Sequence, residues 1–301
     1  MSHKKKKTLG KHIEKNRAAY FLAAPFLLLF LAFVVVPLIM TIMLAFCSYD
    51  ISGLPKFSGF ENFQSLFSLG SKFPTALENS MLIFLAVGLG GFVLCFFAAW
   101  GLEFLPKKFA DIISYTLFAM SFIGTIIAAV WLAGGLYSPL NSLLLSLKLS
   151  DVPADWLSDE RYAFLCVVLS QLWTTFGLGF LALRSGFKSV PREKIYAAKL
   201  EGVKNPFWAL YYAYIPQIFP QIAFAAAVQI AFAFTNSEIL RILSGTAAEK
   251  FKVYGILTYI FENGAELDAG KACAANLILL LIMTAIYAVV RFAMKKLSER
   301  A

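Results

Sequence analysis

Apolar residues in this chain come in long unbroken runs, with no alternation at a period of two. Six stretches contain no Asp, Glu, Lys or Arg: 20–47, 79–102, 112–147, 162–183, 205–237 and 272–290. A hydrocarbon core about 30 Å thick is crossed by about 20 helical residues, so each stretch can hold one span. The third and fifth are too long for one straight helix and too short for two. In the third, Gly134, Gly135, Pro139 and Asn141 predict a helix that ends near Leu136, followed by a loop. In the fifth, Pro206, Pro216 and Pro220 predict an interfacial approach ahead of the span proper. The expected spans are therefore about 20–47, 79–102, 112–136, 162–183, 212–236 and 272–292. The first run is much longer than the roughly 7–15 apolar residues of a secretory signal, and five more follow it, so it reads as a retained span. The expectation is an all-α polytopic membrane protein of about six helices, with a transmembrane domain over 20–295 between tails 1–19 and 296–301.

Composition supports this class. Of 301 residues, 59% are hydrophobic and 15% charged, where soluble domains carry about 25% charged residues. Thirty Phe, 12 Tyr and 5 Trp exclude a disordered chain. The net charge of +9 resides mainly in short segments between apolar runs. Lys and Arg number seven before Tyr20, two at Lys107 and Lys108, six over 184–204 and four after Val290, making 19 of the 27 on one side. Twelve of the 18 acidic residues fall on the other side. This split predicts that both termini face the cytoplasm. With no basic stripe or aromatic-basic module, nucleic acid is not expected as a partner. Cys47, Cys95, Cys166 and Cys273 lie in or at the edge of apolar runs without a close pair, and His3 and His12 both lie in the basic tail. Neither a disulfide framework nor a metal or histidine-based catalytic site is expected.

Several functions are disfavoured by what is missing. The sequence has no phosphate-binding loop, dinucleotide fingerprint, zinc-protease motif or nucleophile elbow. The spans lack a ladder of buried Asp, Glu or His of the kind that ion-coupled transporters use. If this chain moves a solute, its energy comes from a partner.

One loop on the positively charged side is the most informative. Ser189 to Gln221 reads SVPREKIYAAKLEGVKNPFWALYYAYIPQIFPQ. Pro191 suits the start of a helix, and Glu193 suits the positive end of its dipole. Gly202 sits where a helix-terminating glycine belongs, and a second short helix is expected from Pro206. The result is a basic two-helix elbow over about 189–210, with small residues at Ala197, Ala198 and Gly202 that would let another protein approach closely.

This segment resembles the EAA loop of binding-protein-dependent ABC importer permeases, which runs P-x-E-L-Y-E-A-A-x-x-D-G-A and leads to a span that opens with L-P. Pro191, Ala197, Ala198, Gly202 and Pro216 fall on matching positions. Tyr196 replaces the acid that precedes the family's two alanines, and Glu201 replaces its Asp with the charge kept. The opening span through SYD, the external GFENFQSLFS and the stretch SPLNSLLLSLKLSDVPADWLSDERYA resemble the carbohydrate and glycerol-phosphate branch of the type I class, of which the maltose transporter is a member. The resemblance implies a six-helix permease domain in a bacterial cytoplasmic (inner) membrane. It implies an elbow (Glu193, Ala197, Ala198, Glu201, Gly202 and Pro206) that seats in a cytoplasmic ATPase. Implied partners are a second permease subunit, two ATPase subunits that hold ATP and Mg, an extracytoplasmic solute-binding protein and the lipid bilayer. No cofactor is implied for this chain itself, which is expected not to be an enzyme.

Candidates for the solute path are Gln171, Trp173, Thr174, Gln229 and Asn236, because amide hydrogen bonds and aromatic faces suit sugars. The competing reading is that they tie helices together. Glu103, beside Lys107 and Lys108, reads as part of a surface ion pair. The segment from Glu238 to Gly270, with Arg241, Lys250 and Lys252, departs most from the family. Two other function classes stay in view: a stand-alone secondary transporter, which needs a coupling charge inside a span, and a membrane-embedded enzyme, which needs a catalytic cluster near the interface.

Overall fold

The computed structural model describes residues 17–49, 54–133, 138–154, 156, 160–235, 255–265 and 268–298. Eleven helices organise these residues. Helix α1 covers 17–45, α2 Glu61–Leu66, α3 Phe73–Phe104, α4 Lys107–Ala133, α5 Pro139–Ser146 and α6 Glu160–Ser189. They are followed by α7 Arg192–Leu200, α8 Pro206–Tyr214, α9 Phe219–Thr235, α10 Ile256–Ala265 and α11 Ala269–Ser298. A two-stranded antiparallel ribbon pairs Cys47–Ser48 with Lys56–Phe57.

Four helices, over Phe21–Ala45, Phe73–Phe104, Phe164–Ser189 and Ala269–Ala293, are long and apolar enough to cross a membrane. The pair α8 and α9 makes a fifth candidate, broken by a 98° bend. Helix α4, 27 residues long, carries the third apolar stretch. The bend follows from the sequence. Pro216 lies between the two helices and Pro220 is in the first turn of α9. Neither proline can donate to a preceding turn, so a continuous helical ladder fails there.

Helix α6 is the hub, packed against α3, α4 and α9. Small residues permit this. A Cβ at Gly177 would lie 2.1 Å from the Ser121 hydroxyl of α4, and one at Gly179 would meet the Gln229 amide of α9 at 3.0 Å. One core cluster sits at the end of the bundle nearest α7 and includes Phe180, Leu183, Phe187, Leu210 and Ile218. A second sits at the far end around Ala45, Leu66, Phe73, Ile256 and Tyr259. Helix α1 lies on the outside, with Phe21 80% and Phe33 75% exposed, as suits a lipid- or protein-facing span. It widens into a π-turn at Leu31–Val35. Pro37 has no N–H to offer the carbonyl of Phe33, which explains the irregularity at that point.

Polar groups lock the far end. Asn62 of α2 donates through Nδ2 to the carbonyls of Ala45 and Cys47, both at 2.9 Å, and so satisfies acceptors that the end of α1 leaves open. Asn141 ties α5 to the following segment. It donates to the Ala154 carbonyl at 2.8 Å, and its Oδ1 accepts from the Trp156 indole at 2.8 Å and the Ala154 amide at 3.2 Å. The loop expected after the third span therefore contains a helix. Ser138 caps it by accepting from the Asn141 amide at 3.2 Å, and Pro139 occupies its first turn, where a missing N–H costs nothing.

Candidate coupling elbow and translocation path

The elbow is built from local rules. Pro191, with φ −62° and ψ 133°, holds the extended conformation that precedes a helix, and Glu193 lies in the first turn of α7. At the other end Gly202 has φ +92°, a conformation that L side chains rarely adopt. Its amide donates to the Lys199 carbonyl at 3.1 Å, and the Val203 amide donates to the Ala198 carbonyl at 3.0 Å. These two bonds form a Schellman cap, which stops the helix and turns the chain. Asn205 then caps α8 by accepting from the Phe207 amide at 2.9 Å, with Pro206 in the first turn.

Helix α7 has two faces. Arg192, Ile195, Tyr196 and Lys199 recur at helical spacing and line a cavity between the elbow and the span ends. Glu193, Ala197, Leu200 and Glu201 lie on the opposite, exposed face, where Leu200 is 89% exposed. Ala198 is buried against the bundle. Of the elbow residues expected from sequence, Glu193, Ala197, Glu201, Gly202 and Pro206 are thus accessible, and Ala198 acts as a packing contact. Leu200 thus stands outward on a short basic helix, uncovered by the described residues.

Ion pairs anchor the span ends beneath the elbow. Arg184 of α6 pairs with Glu103 of α3, and Lys188 of α6 with Asp111 of α4 at 2.6 Å. The partner of Glu103 is therefore Arg184, rather than Lys107 or Lys108, and the pair is no surface feature, since Arg184 is only 5% exposed. Its position explains the difference. Glu103 closes α3 on the side that meets the last turns of α6, and burial there leaves an arginine that needs a carboxylate. The hydrogen bond from Lys188 holds the Asp111 carboxyl below the usual carboxylate range, with Arg184 and Lys107 adding to the effect.

The path candidates separate. Gln171 (0% exposed) and Gln229 (1%) lie inside the bundle. Gln229 donates to the Cys95 sulfur and to the Thr175 carbonyl, both at 3.3 Å, and joins α9 to α3 and α6. Trp173 is 43% exposed, and its indole donates to the Met120 carbonyl at 3.1 Å. The hydroxyl of Thr174, beside it, donates to the Gln171 carbonyl at 3.1 Å. Trp173 and Thr174 therefore border an open surface, whereas Gln229 connects helices and Gln171 is buried within the bundle. Asn236 and the charged segment around Arg241, Lys250 and Lys252 lie outside the described residues.

Comparison with known proteins adds an independent line. Residues 91–301 match the family described as "Binding-protein-dependent transport system inner membrane component". The chain is similar to the arabinooligosaccharides transport system permease protein AraP of Bacillus subtilis (strain 168), 26% identical over 281 residues and covering 89% of this chain and 86% of that protein. It is also similar to the sn-glycerol-3-phosphate transport system permease protein UgpA of Shigella dysenteriae serotype 1 (strain Sd197), at 24% identity with 88% and 89% covered. A solved chain from the crystal structure of a bacterial alginate ABC transporter, in complex with an alginate pentasaccharide-bound periplasmic protein, shares the fold. Its TM-score is 0.77 at 20% identity, with 96% of this chain and 97% of that chain covered.

Proposed function

The chain belongs to the family of binding-protein-dependent transport system inner membrane components, and on that premise we propose that it is the permease subunit of an ATP-driven importer for a carbohydrate or related small solute. One observation carries the coupling role: a helix closed by a Schellman cap, with Leu200 pointing outward and 89% exposed, is fixed at the end of the bundle where three spans converge. In this reading the exposed face of α7 seats in a cytoplasmic ATPase. Six spans, α1, α3, α4, α6, the α8–α9 pair and α11, form half of a path in a bacterial inner membrane, with both termini cytoplasmic. A second permease chain supplies the other half. ATP and magnesium belong to the ATPase pair, and an extracytoplasmic binding protein delivers the solute. The named relatives that transport arabinooligosaccharides and glycerol 3-phosphate support the solute class.

When the ATPases close, they would carry α7 with them. The capped turn and the ion-paired span ends transmit that displacement to α6 and α9, which changes the side from which the path is open. Trp173 and Thr174 contact the passing solute, and Gln171 and Gln229 keep their helices in register.

The test is co-purification from native membranes combined with crosslinking from Ala197→Cys and Leu200→Cys. Recovery of an ATPase and a second permease, with crosslinks to the ATPase from both positions, is the expected outcome. A chain recovered alone and without such crosslinks would refute the importer assignment and favour an independent carrier.

A further inference from the structure

Beneath the elbow, on the side away from the exposed face of α7, lies a cavity of about 500 Å³ bounded by the ends of α3, α4 and α6, the inner face of α7 and the end of α8. Its charge is lopsided. Lys107, Arg184, Lys188, Arg192 and Lys199 line it, against the single carboxylate of Glu103. Asp111 neutralises Lys188 from outside the lining, so an excess of positive charge remains.

Two further features point to a ligand. Arg184 is 5% exposed and pairs with Glu103, yet its Nε is buried without a hydrogen-bond partner. Buried donors in native proteins are normally satisfied, and a guanidinium whose Nε lacks a partner has a donor left to offer an oxyanion. The surrounding depth is also informative. Trp100 packs tilted against Phe207 at 5.1 Å and edge-to-face against Phe104 at 5.3 Å, and Trp208 stacks on Tyr212 at 5.8 Å. Such an aromatic girdle marks the level of the lipid headgroups, where basic pockets between spans recognise anionic phospholipids.

We propose that this cavity is a phosphate-binding site in which one phosphate group bridges buried Arg184 to Arg192 and Lys199 of the elbow, so that the bound anion braces α7 against the span ends. Arg192 and Lys199 lie two helical turns apart on the same face, which lets a single tetrahedral oxyanion be approached from both ends of α7 while Arg184 meets it from the bundle. The phosphate can belong to a phospholipid headgroup or be free in solution. The site does not depend on which solute is transported.

The full chain is purified in micelles of a phosphate-free alkyl maltoside detergent, and its apparent Tm is followed in two arms. One arm adds phosphatidylglycerol; the other adds inorganic phosphate against chloride at equal ionic strength. We expect at least one arm to raise the Tm by about 5 °C, the order expected for saturating ligand. The double variant Arg192→Gln/Lys199→Gln loses most of that rise, whereas Lys194→Gln/Lys204→Gln, with the same loss of charge, keeps it. A rise with phosphatidylglycerol only identifies a headgroup; a rise with both identifies the phosphate alone as sufficient. Native mass spectrometry should show one fewer retained phosphatidylglycerol on the first double variant if the headgroup is the source. No stabilisation in either arm overturns the proposal, as does equal loss in both double variants, which would mean diffuse surface attraction. Crosslinks that place an acidic ATPase segment in the cavity would also overturn it. None of these outcomes bears on the importer assignment, which is tested by subunit recovery.

Discussion

Gly270→Ala offers a sharp test of how the far end is locked. A Cβ built at Gly270, in the first turn of α11, lies 2.5 Å from the Cys47 carbonyl oxygen and 2.8 Å from Asn62 Nδ2. The nearest atom is backbone, which cannot swing aside. The second is held by its bonds to Ala45 and Cys47, both at 2.9 Å. Relief therefore requires either moving α11 off α1 or displacing Asn62. Overpacking of this kind costs about 1–3 kcal/mol. Losing the Asn62 bonds strands two carbonyls, and an unsatisfied buried acceptor costs about 1–3 kcal/mol. A cost of roughly 1–3 kcal/mol is expected, since the helix will take whichever route is cheaper. Gly264→Ala is the control, because nothing lies within 4 Å of its Cβ position and α10 is helical there. That change should be neutral or slightly stabilising. The assay is thermal unfolding in detergent followed by size-exclusion chromatography. A Gly270→Ala protein that melts with Gly264→Ala would refute the argument.

Three further outcomes follow from the geometry. At Gly202, where φ is +92° and space is open, the penalty is conformational, about 1–2 kcal/mol for Ala and less for Asn. Solute uptake per ATP hydrolysed in reconstituted vesicles should rank Gly above Asn above Ala, with Gly202→Asp also uncoupled but still inserted; equal coupling for Gly and Ala would show that the cap is dispensable. Glu103→Leu leaves Arg184 buried without its counter-charge and should destabilise by about 3–5 kcal/mol, whereas Glu103→Leu/Arg184→Leu should lose much less, and Arg184→Leu completes a double-mutant cycle readable by thermal unfolding. Gln229→Leu should lower stability by about 1–3 kcal/mol with solute preference unchanged, and Trp173→Ala should impair uptake more than stability. A changed solute preference in Gln229→Leu would return that residue to the path.

The sequence was most legible where a single residue type enforces a local conformation. Pro191, Gly202 and Pro206 mark out the elbow because each permits or forbids a particular backbone state, and Pro216 and Pro220 mark the corner for the same reason. Partners distant in sequence left no such mark. Glu103 and Arg184 are 81 positions apart, and nothing local distinguishes a carboxylate facing Lys107 from one buried against α6. The polar residues of the spans are ambiguous for a related reason. A glutamine that lines a path and one that ties two helices both interrupt an apolar run in the same way. Only the packing, with Gly91 and Gly179 making room for the Gln229 side chain, tells them apart. The helix at Pro139–Ser146 was hidden by its own proline, which reads as a breaker but serves as a first-turn residue once Ser138 caps it.

The right angle between α8 and α9 has a mechanical meaning. The nine residues of α8 make an arm about 13 Å long, and the 17 of α9 one about 25 Å long. The corner between them is packed rather than loose, since Ile218 is fully buried and Gly186 lets Gln221 and Ile218 press against α6. Such a piece behaves as a bell crank: a push of 1 Å at the tip of the short arm swings the far tip of the long one by about 2 Å. Gearing of this kind turns a small stroke along the axis of α9 into a larger sideways excursion of its far tip.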